Sequence, residues 1–103
     1  MPNDSLKCRT LLDIAFILYS GEEAVKYAKR AEKLAKKLKS QNLIGQSYTC
    51  LAWVIGFDKV DIKTAYLDSA LEIFTQLNHP EGLSRVYNTK STILLEYDNL
   101  EEG

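Results

Sequence analysis

The sequence predicts an all-α protein built of stacked antiparallel helical hairpins, about five helices in all. Three observations carry this expectation. Shifted by 39 residues, the chain overlays itself at apolar positions: Tyr27 on Tyr66, Ala31 on Ala70, Leu34 on Ile73, Leu38 on Leu77, Ile44 on Leu83, Tyr48 on Tyr87, Val54 on Ile93 and Ile55 on Leu94. A period in this range marks a repeat array, in which each unit buries its apolar face against its neighbours. Apolar residues recur with the 3.6-residue period of a helix, and no long stretch alternates with the two-residue period of a strand. The only prolines, Pro2 and Pro80, fall where no helix interior is expected, so long segments are free to be helical.

The first helix is expected over 5–19, with Leu11, Ile14, Ala15 and Leu18 at helical spacing and Asn3 or Asp4 as a cap; Ser20-Gly21 ends it. The second runs over 22–39. Ala24, Tyr27, Ala28, Ala31, Leu34, Ala35 and Leu38 form one face and Lys26, Arg30, Lys33 and Lys37 the opposite one, with acidic residues opening the helix and basic residues closing it. Ser40-Gln41-Asn42 reads as a connector. A third helix over 43–57 turns Ile44, Tyr48, Leu51, Ala52 and Ile55 inward, and 58–61 is the next turn. The fourth, over 62–77, carries Ala65, Tyr66, Ala70, Ile73, Phe74 and Leu77 and stops at the breaker Asn78-His79-Pro80. The fifth spans 81–97, after which Asp98-Asn99 reads as a turn and Leu100-Glu101-Glu102 as the start of a sixth helix.

At 103 residues the chain makes one domain, 1–103, with repeats at approximately 5–39, 43–77 and, incomplete, 81–103. A domain of this size buries roughly two thirds of its unfolded surface. No run reaches the roughly 18–20 apolar residues of a membrane span, and no basic segment precedes an apolar signal core. Cys8 and Cys50 stand apart without a Cys-x-x-Cys, which points to reduced, buried thiols and a cytoplasmic location. The net charge of −1 hides an asymmetry: nine Lys/Arg against five Asp/Glu up to Phe57, then four against nine. Opposite poles on an elongated array favour head-to-tail or two-fold association.

The first helices of the pairs read Leu11-x-x-Ile14-Ala15-x-x-Leu18, Tyr48-x-x-Leu51-Ala52-x-x-Ile55 and Tyr87-x-x-Lys90-Ser91-x-x-Leu94, a small residue standing in the third place each time. The second helices supply Ala24, Ala28 and Ala31, then Ala70-Leu71-Glu72-Ile73-Phe74, and the connectors hold Asn42-x-x-Gly45 and Asn78-His79-Pro80-Glu81-Gly82. With these motifs nearly the whole chain resembles tetratricopeptide repeats (TPR), of the longer, degenerate kind found in bacterial regulatory and signalling proteins. It departs from the pattern at Lys63 or Thr64, one of which stands where a small alanine is expected, and at Lys90, which replaces an apolar residue.

The resemblance implies a TPR-like α-solenoid whose first helices line a concave groove. By helical position the groove side holds Arg9, Leu12, Asp13, Phe16 and Tyr19, then Gln46, Thr49 and Trp53, then Arg85, Asn88 and Thr92. Aromatic anchors beside Arg and Asn suit an extended peptide or a partner helix. The expected function is a non-enzymatic module for binding a protein or peptide or for self-association, in a segment of a larger regulator. No catalytic, metal or cofactor constellation is legible: His79 is the only histidine, in a turn, and neither cysteine has one at readable spacing. The alternative is a nucleic-acid-binding repeat using Lys26, Arg30, Lys33 and Lys37, although Glu22, Glu23 and Glu32 share that helix and no aromatic residues interleave the stripe. On the fifth helix Val86, Ile93, Leu94 and Tyr97 need a cover, which predicts a homodimer joined there.

Overall fold

A computed structural model describes residues 4–18, 21–55 and 60–102. The chain is all-α: α1 (Asp4–Leu18), α2 (Glu22–Leu38), α3 (Gln41–Val54), α4 (Val60–Leu77) and α5 (Pro80–Glu102), with no strand among the described residues. Successive helices pack as hairpins. Beyond those neighbours α1 touches α3 and α3 touches α5, whereas α2 and α4 make at most marginal contact. The odd-numbered helices therefore form one continuous layer, and the even ones splay apart on the other side.

Local sequence explains the turns. Gly21, at φ 98°, occupies the left-handed half of backbone space that side chains avoid, and α2 starts directly after it. The connections α2–α3 and α4–α5 are the same two-residue device, 39 residues apart. Lys39 and Asn78 adopt φ 57° and 52°. The amides of Lys39 and Ser40 return to the carbonyls of Lys36 and Ala35, and those of Asn78 and His79 to Thr75 and Phe74, at 3.0–3.2 Å. This is the Schellman closure of a helix C-terminus. The next residue then caps the following helix: Ser40 Oγ accepts from the Leu43 amide at 3.3 Å, and His79 Nδ1 accepts from the Gly82 amide at 2.9 Å.

Several boundaries differ from expectation, and α4 opens at Val60, two residues before its expected start. Gln41 and Asn42 are helical rather than connector, because Ser40 already supplies the cap. Pro80 opens α5, its missing amide being one that a first helical turn leaves unpaired in any case. α3 ends at Val54 with Ile55 extended, and 56–59 lie outside the described residues. No turn forms at Asp98-Asn99 and no sixth helix begins: α5 continues through Glu102, since neither residue breaks a helix as Gly or Pro does.

Two apolar clusters make the core. The first joins α1, α2 and α3 through Cys8, Leu11, Ala15, Ala28, Ala31 and Leu51; the second joins α3, α4 and α5 through Ala52, Leu67, Ala70, Phe74, Val86 and Ile93. Ala24, Ala28, Ala31 and Ala35 are all fully buried, and their small size lets α1 approach until Cys8 Sγ lies 3.3 Å from the Ala31 carbonyl. Phe74, fully buried, fits between Gly45 of α3 and Gly82 of α5, where any Cβ would overlap its ring. Both glycines sit inside helices, as their expected ranges place them, and make room for that ring. Of Lys63 and Thr64, one of which stands where an alanine is expected, Lys63 is buried at 2% exposure.

Candidate functional site

The layer of odd helices carries two depressions that meet at Arg85. At one end the first turns of α1, α3 and α5 converge around a cleft of about 460 Å³ whose lining includes Ser5, Arg9, Asn42, Gln46, His79 and Arg85. At the other, Asp13, Phe16, Trp53, Arg85 and Thr89 line a second, more open hollow of similar volume, about 460 Å³. Three first turns at one edge place their positive dipole ends there, with the Leu43 and Gly82 amides already taken by the caps Ser40 and His79. Arg9 and Arg85 are exposed and make no ion pair among the described residues, so their guanidinium groups add positive charge to the same edge, which the exposed Glu81 in that lining offsets in part. The Gln46 side-chain amide donates to Asn42 Oδ1 at 3.0 Å, which fixes its orientation along the floor.

The aromatic end is built differently. Phe16 and Trp53 are half-buried, each packed against the first core cluster while presenting the rest of its ring to the hollow. Beneath them Cys50 is fully buried, and burial pushes its thiol up to about 12, with Arg85 pulling it down and Asp13 pushing it up by smaller amounts. Burial likewise raises the Cys8 thiol, against a smaller opposing effect of a hydrogen bond with Ser47. Neither sulfur is a nucleophile at neutral pH.

Of the residues assigned to the groove from sequence, Arg9, Phe16, Gln46, Trp53 and Arg85 come together on one face. Thr49 does not line it: at 1% exposure it lies under the floor, its hydroxyl bonded to the Gly45 carbonyl at 2.9 Å. Asn88 is exposed but lines neither depression; Thr89, one residue on, takes the inward place. Leu12 is buried, Thr92 is half-buried, and Tyr19 lies outside the described residues. Ser5, Asn42 and His79 also line the first cleft and carry no signal in the sequence, because they belong to helix starts whose convergence depends on how the hairpins stack. His79 caps α5 from the turn before it, and its ring lies 5.4 Å from that of Phe74.

The residues assigned to self-association also divide. Val86 and Ile93, at 1% and 5% exposure, are covered by the second core cluster and offer no surface to a partner. Leu94 is exposed, and the side chain of Tyr97 lies outside the described residues. On the other side of the molecule the splay of α2 from α4 leaves a shallow cleft of about 370 Å³ lined by Glu32, Tyr48, Asp61, Ile62, Tyr66 and others. Two of its lining residues are engaged by Lys36, which lies 3.0 Å from Glu32 and 5.5 Å from the centre of the Tyr48 ring. Lys26, Arg30, Lys33 and Lys37 are exposed along α2, with Arg30 over the Tyr27 ring.

Among the described residues no cluster of His, Cys, Asp and Glu has the geometry to hold a metal ion, and no helix is long and apolar enough to cross a membrane. In comparison with known proteins, the chain matches no protein-family model, no curated protein and no solved structure.

Proposed function

We propose that this protein is a TPR-like binding module whose groove over α1, α3 and α5 holds a segment of a protein partner. The observation that carries this reading is the meeting of Arg9, Phe16, Gln46, Trp53 and Arg85, drawn from three helices, along one open surface with a cationic and an aromatic end. The partner chemistry follows from the two ends. A carboxylate fits the guanidinium groups, and an apolar or aromatic side chain fits against Phe16 and Trp53. Seven residues separate Arg9 from Phe16, and Gln46 from Trp53, a rise of about 10 Å along each helix. In an extended partner, roughly three residues span that distance.

Trp53 is the only tryptophan, so its fluorescence reports on the groove. Peptides with an acidic residue three positions from a Phe should give a saturable change, and peptides with Lys in the acidic place should not. Charge reversal at Arg9 and Arg85 together should weaken the response by at least tenfold, about 1.4 kcal/mol. Unchanged affinity in that double variant, or no saturable response at any spacing, counts against the reading.

A further inference from the structure

Exposed apolar side chains are concentrated at the two ends of the helix stack. Of the eight large hydrophobic residues exposed among the described residues, three lie on α1 (Leu6, Ile17 and Leu18) and three on α5 (Tyr87, Leu94 and Leu95). On α1, Leu6, Thr10, Asp13 and Ile17 fall on one helical face, and all four are exposed. On α5 the stripe Tyr87, Ser91, Leu94 has an internal precedent: 39 residues earlier stand Tyr48 and Ala52 of α3 and Ile55, the extended residue that ends it. α3 uses that stripe to receive another helix. Ala52 is fully buried in the cluster with Leu67 and Ala70 of α4, and the Tyr48 ring lies 5.6 Å from that of Tyr66. The equivalent stripe on α5 keeps a Tyr, a small residue and an aliphatic one at the same spacing, and has no helix on it among the described residues.

Charge identifies the occupant. α5 carries Glu81, Glu96, Asp98, Glu101 and Glu102 against Arg85 and Lys90, whereas α2, packed beside α1, carries six basic residues against three acidic ones. A two-fold contact of α5 with itself would set two acidic helices together. The opposite end of the stack offers α1's apolar face beside α2's positive charge. We propose that the molecule self-associates head to tail, the Tyr87–Leu94–Leu95 stripe of one copy receiving the Leu6–Ile17 face of the next. Such a contact is heterologous and leaves each copy one free end of either kind, so assembly grows with concentration rather than stopping at a dimer. Attraction between opposite charges makes it weaken with salt.

Light scattering of the native chain over a concentration series should show a mass that rises past the dimer and falls in high salt. Ile17→Glu and Leu95→Glu, at sites 81% and 64% exposed, should each be folded by circular dichroism and monomeric. Mixed one to one, they should form a heterodimer and nothing larger, because each contributes the end the other has lost. A native chain that stays monomeric at every concentration overturns the proposal. So does an Ile17→Glu variant that still dimerises, the signature of a two-fold contact through α5, or a mixture of the folded variants that forms no heterodimer.

Discussion

Single side chains fix what this molecule tolerates. Phe74 fills the gap between α3 and α5 only because Gly45 and Gly82 bring no Cβ to the ring. Gly82→Ala raises helix propensity by about 1 kcal/mol, yet it forces a methyl group into a fully buried aromatic ring, and overpacking of that kind costs about 1–3 kcal/mol. A net loss of stability, read as a lower midpoint in urea, is expected; a gain would mean that the ring shifts freely. Cys8 and Cys50 set a second limit. Both should resist alkylation in the folded protein at pH 8 and react once it is denatured. Because burial holds the Cys50 thiol protonated up to about 12 while the unfolded thiol ionises near 9.0, the unfolded chain loses its proton first. Stability should therefore be insensitive to this group at neutral pH and fall through that alkaline window, by at most ~1.4 kcal/mol per pH unit. Burial also raises Tyr66, which deepens the same alkaline loss. A stability curve flat from pH 9 to 11 would show that the Cys50 site is wet.

At the scale of elements, the two equivalent connections differ in one instructive way. Both place a residue in the left-handed region, but Asn78 tolerates it and Lys39 does not. Lys39→Gly should stabilise the protein by about 0.5–1 kcal/mol, since only the strain of the Cβ is removed, while Asn78→Gly should change little. Equal effects at both sites would mean that Lys39 pays no conformational cost. Helix number, order and inward faces were legible in the sequence because the 3.6-residue period and the 39-residue repeat are local patterns. The caps were legible only in part. Ser40 is a common capping residue, but His79 before Pro80 reads as a breaker, and its role shows only when Nδ1 is seen facing the Gly82 amide. The groove was legible to the extent that helical position decides it, as for Arg9, Phe16 and Arg85. It failed for Thr49 and Asn88, where a rotation of some tens of degrees about the helix axis separates floor from rim. On α5, Val86 and Ile93 read as surface in need of a cover because the sequence does not show that α4 already provides one.

Over the whole molecule, the two core clusters share one helix, and their coupling runs through a small number of groups. Tyr48 of α3 and Tyr66 of α4 pack against both clusters, with their rings 5.6 Å apart. In an array whose units contact only their neighbours, stability is a sum of unit and interface contributions, and weakening an interface lets one part open without the other. Among the described residues the second cluster has fewer buried residues than the first, so α4 and α5 are the part expected to open. Tyr48→Ala should therefore act unevenly. In native-state hydrogen exchange the most protected amides of α4 and α5 should speed up by at least about tenfold more than those of α1 and α2, a gap of ~1.4 kcal/mol between two parts that open separately. Equal acceleration throughout would place the coupling in the contacts of α3 with α1 and α5 instead. If the groove holds a partner segment as proposed, it does so with Arg9 and Phe16 from one cluster's helices and Arg85 from the other's: whatever loosens the joint at Tyr48 should also loosen the distance between the groove's two sides, and a bound segment touching both should restore the protection that Tyr48→Ala removes.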